Sequence, residues 1–476
     1  VSAFPFIGGS YEARGRSFDA QRAVNLYVEM SGSGTSRAPS AIYGTPGLTR
    51  WATLSGGAVR GLLRVSPALA LAVAGPNVYR LDAQGAAVLV GALTSNAGPV
   101  SMAGNGAQVM LVTGEAGYVF DIAAGTLAQI TDPDFSGADV VQFIDGYFVV
   151  NKPGTGQFQI SSLYGTDFDA LDFATAEGAP DLLVSLIVDH RELWLFGQTS
   201  TEVFFNSGSA DFPFERIQGA FIEHGCTAPQ SVAKLDNSVF WLSADDKGQG
   251  VVMRATGYQP QRVSTHAVEF ALGGYSTLSD AVAWTYQQEG HAFYVLSFPA
   301  AGKTWCFDAS TGLWHERAWR NPATGGLGRH RGGCHAAFAG RNIVGDWETG
   351  NLYALDLDAY TDDGAALPRI RRCPHLAHPD ALWQFFHRLQ LVMDTGVGTP
   401  SGQGAAPVAL LRWSDDGGAS WSNEIAANVG RIGERRTRVL WRRLGKSRDR
   451  VFEVTITDPV RVAITAASVD VSIGGA

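Results

Sequence analysis

The sequence predicts an all-β fold, and three observations carry that prediction. Only 17% of the 476 residues are charged, while 57 are Gly and 5 are Met, a composition of turns and short strands rather than helical bundles. Apolar stretches recur every ~40 to 55 residues between Val59 and Arg329, the length of a four-stranded blade. Past residue 367 the texture shifts to short strands at sandwich spacing. The expected architecture is a β-propeller over 51–367, a C-terminal β-sandwich over 368–476 and an extended N-terminal arm over 1–50. The blade count from spacing is seven, with six and eight as neighbouring counts. A row of sandwiches with chance similarity is the competing arrangement.

The repeats begin near Val59, Val100, Asp139, Asp181, Thr227, Asp280 and Arg329. Each opens with an apolar strand, passes a turn and returns as a second strand. In ELWLF, Leu193 and Leu195 alternate with Trp194 and Phe196, which predicts a strand buried on one or both faces. The phrases NVYRLD, YVFDI, WCFDA and LYALD each place an aromatic shortly before Asp, marking equivalent positions in equivalent blades. Residues 1–50 are rich in Gly, Ser, Pro and Arg with little periodicity, and read as an arm that packs on the body or reaches beyond it. Such an unstructured arm suits gripping a neighbouring subunit. TDDGAALP bridges to the second domain, and 400–407 (PSGQGAAP) is a loop by composition. The stretch 379–393 fits either a helix or a strand, and its alternation favours the strand.

A net charge of −9 excludes a general polyanion binder but leaves room for a local basic patch. Cys226, Cys306, Cys334 and Cys373 are far apart, which predicts buried reduced thiols rather than a disulfide framework. The longest apolar window, 62–75, contains Arg64 and is too short to span a bilayer, so no membrane insertion is expected. The first residues lack the basic-then-apolar order of a secretion signal. A soluble protein made inside a cell is the simplest expectation.

Residues 414–421, SDDGGASW, match S-x-D-x-G-x-S-W, the Asp-box hairpin familiar from sialidases and other propellers. Ser414 and Asp416 are expected to hydrogen-bond the turn backbone, Gly418 to supply a positive φ, and Trp421 to pack beneath. One copy, placed in the sandwich, predicts a turn rather than a glycosidase. A carbohydrate-binding or sialidase-like propeller stays the alternative, and requires Arg, Tyr and acidic residues converging at the propeller mouth. HRGGCH (His330, Cys334, His335) and CPHLAH (Cys373, His375, His378) fit no standard zinc spacing. G-x-S-x-G, H-E-x-x-H and the P-loop pattern do not occur. No catalytic residue, cofactor or metal site is expected.

One patch stands out. Over 430–450, Arg431, Arg435, Arg436, Arg438, Arg442, Arg443, Lys446, Arg448 and Arg450 face only Glu434 and Asp449. If TRVLWRR is a strand, Arg436, Arg438 and Arg442 share one face while Val439 and Trp441 share the other. Such a face can meet double-stranded DNA phosphates in a channel, or acidic residues across a subunit interface. Aromatic residues for base stacking are sparse in this stretch, which favours the interface.

The stretches 200–243 (STEVFFNSGSADFPFERIQGAFIEHGCTAPQSVAKLDNSVFWLS) and 257–269 (GYQPQRVSTHAVE) carry a resemblance. So do GHAFYVLSFPAAGKTWCFDASTGLWHER, VLWRRLG, SYEARGRSFDAQRAVNLYVE and YGTPGLTR. From about Tyr11 to Val471 the chain resembles the tail hub proteins of short-tailed bacteriophages, also called tail accessory factors or packaged-DNA-stabilisation proteins. The resemblance implies a homohexameric ring in the virion tail, assembled in host cytoplasm. That ring would lie beneath a dodecameric adaptor ring hung from the portal and would receive a tail needle or nozzle below. Tail fibres or spikes would attach near the adaptor–hub junction. It would extend the DNA channel and help retain the genome until ejection. The family has no established enzymatic activity or required cofactor, so the resemblance brings no catalytic residues.

Overall fold

The computed structural model describes residues 2–176, 178 and 181–474. Six sets of four antiparallel strands follow one another over 59–92, 101–129, 141–175, 183–222, 233–262 and 282–316, the first five as separate sheets. They are blades 1 to 6 below. Blade 7 takes Gly332–Phe338, Arg341–Asp346 and Asn351–Asp356 from the end of the propeller and its fourth strand, Gly47–Thr53, from near the start of the chain. That borrowed strand closes the circuit. Its register pairs Leu48 with Leu355 and Thr53 with Asn351.

The burial pattern explains the sequence pattern. Second strands such as Leu69–Ala74, Glu192–Gly197 and His291–Phe298 are buried almost throughout, because a neighbouring blade covers each face. Fourth strands of blades 1 to 5 are outer edges and are largely exposed, as in Ala87–Ala92. Apolar cores lie between neighbouring blades all the way round. Val73 meets Leu111 between blades 1 and 2, Phe158 meets Phe204 between 3 and 4, and Phe338 with Ile343 meets Ala72 between 7 and 1. The recurrent aromatic–Asp phrase has a local cause. Asp121, Asp308 and Asp356 end a third strand and Asp82 directly follows one, and each accepts a backbone N–H in the following turn, from Ala124, Ser310, Asp358 and Gln84 at 2.7–3.0 Å.

The second domain is a sandwich of two sheets around one core that includes Phe386, Leu389, Trp441 and Phe452. One sheet runs in the order Leu26–Met30, Ser40–Gly44, Ala463–Ile473, Gln384–Met393 and Val439–Arg442. The other places Ala20–Val24, Arg369–Arg372, Asp449–Ile456, Val408–Ser414 and Ile425–Asn428 side by side. It joins blade 6 where Val24 lies parallel to Glu316. The ambiguous stretch in 379–393 is a strand from Gln384 to Met393.

The first fifty residues are extended but are not free. The described ones supply strands to both sandwich sheets and the start of blade 7's closing strand, so the arm packs on the body of its own chain and the expected lack of structure is corrected. Strand pairing within the same chain already satisfies much of its backbone. Its periodicity is faint because the strands last only five residues before changing sheets. Asn25, at φ +52°, makes one such change.

Candidate assembly interface

The basic stretch occupies the edge of the first sandwich sheet. Val439–Arg442 is the last strand of that sheet and pairs with Gln384–Met393, placing Arg442 opposite Arg388 and Trp441 opposite Leu389. Val439 and Trp441 point into the core while Arg442 is exposed, as the alternation predicts. The strand is shorter than TRVLWRR. Arg431, Arg435 and Arg436 lie exposed in the turns before it, and the exposed Arg438 donates to Gln390 Oε1 at 2.7 Å. Arg443 leaves the strand at φ +58° and its N–H meets His387 O at 3.0 Å.

Eight of the nine cations are exposed, and the ninth is not. Arg450 is 2% exposed. Its guanidinium holds Asp415 at 2.6 and 2.8 Å, reaches the Leu444 carbonyl and lies against Phe386, Trp413 and Phe452. It is corrected from a contact residue to a core tie, because burying a guanidinium requires that pairing. The sequence reading also missed the aromatic partners. Lys446 Nζ lies 4.7 Å and Arg448 Cζ 5.0 Å from the ring of Trp383, with Phe385 5.9 Å from Lys446. Those rings come from the neighbouring strand and the residue before it, far away in sequence. Among the described residues, Arg442, Arg443, Lys446 and Arg448 have no carboxylate within 4.0 Å.

The Asp-box is an internal turn. Ser414 Oγ donates to Asp416 Oδ1 at 2.6 Å and accepts from the Gly418 N–H at 2.7 Å. Asp416 accepts the N–H groups of Ala419 and Ser420 at 3.0 and 2.8 Å. These hydroxyl and amide donors hold its carboxyl well below the usual carboxylate range. Gly418 adopts φ +94°, and Trp421 stacks beneath Arg372 and Arg412 at 4.9 and 4.7 Å. Ser414, Asp416 and Ser420 spend their side-chain oxygens on bonds within the hairpin, while Asp415 and Trp421 tie it to neighbouring strands.

The other candidate ligands also have protein partners. His330 Nδ1 accepts from Gly332, His335 meets Asn342 at 3.0 Å, and His375 bonds Asp449 at 2.8 Å. Burial pushes the thiols of Cys334 and Cys373 up to about 12 and that of Cys226 to about 11, keeping them protonated. Among the described residues no group of three His, Cys, Asp or Glu side chains is arranged to hold a metal ion. No described helix is long and apolar enough to cross a membrane.

A propeller closed by its own N-terminal strand, continuous with a C-terminal sandwich that ends in a cationic edge, defines a two-domain all-β building block. Residues 2–360 match the family model described as bacteriophage P22 Gp10, beta-propeller, and residues 369–472 that described as bacteriophage P22 Gp10, beta-sandwich. The chain belongs to the bacteriophage P22 Gp10 family, tail hub proteins that stabilise packaged DNA. A search of curated proteins gives no match. Among solved structures, the computationally designed Ika8 protein aligns over 71% of this chain and 100% of its own, at 14% identity and a TM-score of 0.37. BamB from Moraxella catarrhalis aligns over 69% and 97%, at 12% identity and a TM-score of 0.40. Likeness at that level carries no argument about function.

Proposed function

We propose that this chain is the hub of a short phage tail, six copies forming a ring between the adaptor ring and the distal needle or nozzle. The reading is carried by one observation: both domains match the same phage family, in order, over nearly the whole chain. In this role the ring extends the DNA channel and helps retain the genome until ejection. Fibres or spikes attach around it, and assembly takes place in host cytoplasm. We read the seven sets of four strands as one closed seven-bladed propeller. A propeller fused to a sandwich through shared strands supports such work, because stacked sheets transmit load with little deformation.

No catalytic role is proposed. The exposed cations are read as a contact surface, with subunit contact preferred to DNA because they sit on an exposed sheet edge that a second chain can meet. Electron microscopy of the purified chain mixed with its adaptor tests the reading. Closed six-membered rings on the adaptor are expected, and a chain that stays monomeric with adaptor present would overturn it. Glycan-array binding at the propeller mouth would move the assignment to the carbohydrate alternative.

A further inference from the structure

The charge of this chain is strongly polarised. Residues 132–223 carry fifteen Asp and Glu against Lys152, Arg191 and Arg216, whereas 430–450 carry nine Arg and Lys against two acids. The fold separates these regions. The sandwich joins the propeller at blade 6, through Val24 and Glu316, and at blade 7, where Asp362 lies beside Leu48. Counted around the circuit, blade 3 is the one farthest from that seam. Within the first sandwich sheet, Val439–Arg442 stands at the opposite end from Leu26–Met30, the strand nearest blade 6. The acidic blades are therefore remote from that seam around the circuit, and the basic edge is remote from it across the sandwich sheet.

The acidic pole also has the form of a contact. In blade 3, Gln159 pairs with Phe173 and Ser161 with Phe168, so residues 169–172 are pushed out of the edge strand as a wide bulge. Leu171 stands at its tip, 81% exposed, between Asp169 and Asp172. Phe173 and, on the edge of blade 4, Phe221 add exposed apolar surface. The basic pole offers the reciprocal chemistry: unpaired Arg442 and Arg443, the Lys446–Trp383–Arg448 stack, and exposed Phe385.

We infer that the acidic bulge edge of blades 3 and 4 in one copy docks on the cationic, aromatic sandwich edge of the next copy. The occupant is a second copy of this chain, chosen by charge complementarity and by exposed apolar residues at both poles. Two different patches on separate parts of the fold make a heterologous contact, the kind that closes into a ring when the rotation per subunit allows. The inference rests on the proposed ring and names the surfaces that build it.

The test uses two charge-reversed full chains. One carries Asp169→Lys, Asp172→Lys and Glu215→Lys, making both poles basic; the other carries Arg442→Glu, Lys446→Glu and Arg448→Glu, making both acidic. All six positions lie at the surface, and melting curves check folding. By mass photometry with adaptor present, each variant alone should associate at least ten-fold more weakly than wild type. Mixed in equal amounts they should recover rings of alternating subunits, because each pole again meets its opposite. Rings from either variant alone, or no recovery on mixing of folded variants, would overturn this contact and leave the ring reading standing. A wild-type chain that forms no ring with adaptor would overturn both.

Discussion

Arg450 and Asp415 form a two-pronged ion pair, at 2.6 and 2.8 Å, that ties the Asp-box hairpin to the strand Asp449–Ile456. The guanidinium is buried while Asp415 stays near water, and the Leu444 carbonyl depends on the same cation. Arg450→Ala should cost about 2 kcal/mol, less than a fully buried pair because one partner remains hydrated. A shifted urea midpoint would show it. Arg442→Ala, on the exposed edge, should leave that midpoint unchanged.

The hairpin itself predicts an acid-dependent effect. Asp416 is held low by Ser414 and Ser420, so its stabilisation is present above the usual carboxylate range and is lost as pH falls below that range, through the depressed folded value. Asp416→Ala should melt earlier at neutral pH and converge with wild type in strong acid. Parallel melting curves at every pH would contradict the turn role.

Asn25 links the two domains. It is fully buried at φ +52°, donates to the carbonyls of Ala318 and Pro368 at 2.8 and 2.9 Å, and accepts from the Ala318 N–H at 2.9 Å. Asn25→Ala removes three hydrogen bonds from a strained position and should destabilise by about 3 kcal/mol. Calorimetry should show the propeller and sandwich transitions separating in this variant.

Asp362 lies buried at the same seam, within electrostatic reach of Arg317 and Arg369 and near the Leu48 backbone. Burial, only partly offset by those cations, pushes its carboxyl up to about 7. A raised folded-state pKa means that its contribution is fully present below about pH 4 and is lost as pH rises through 7. Asp362→Asn avoids that loss. Its advantage in unfolding free energy should grow from pH 4 to reach about 2–4 kcal/mol by pH 8. A pH-independent difference would show that the carboxyl is already charged throughout.

Most of the propeller was legible because its period is long and its second strands are apolar without interruption. The Asp after each third-strand aromatic was visible as a recurrence, and the structure supplies its reason in the turn bonds of Asp82, Asp121, Asp308 and Asp356. The closing strand Gly47–Thr53 was not legible. It pairs with Asn351–Asp356 some three hundred residues away, and seven residues without a following turn give no blade signal. The cationic stretch stood out by composition. Its division into eight exposed residues and one buried tie depended on Asp415, and its stacking on Trp383, which comes from a separate segment.

The central claim is that this chain works as a closed ring of identical copies, and imaging of the assembled particle tests it most directly. Purified chain mixed with its adaptor should give six-fold rings, each subunit showing a disc-shaped propeller and an attached sandwich. Single, unassociated subunits under those conditions would contradict the claim.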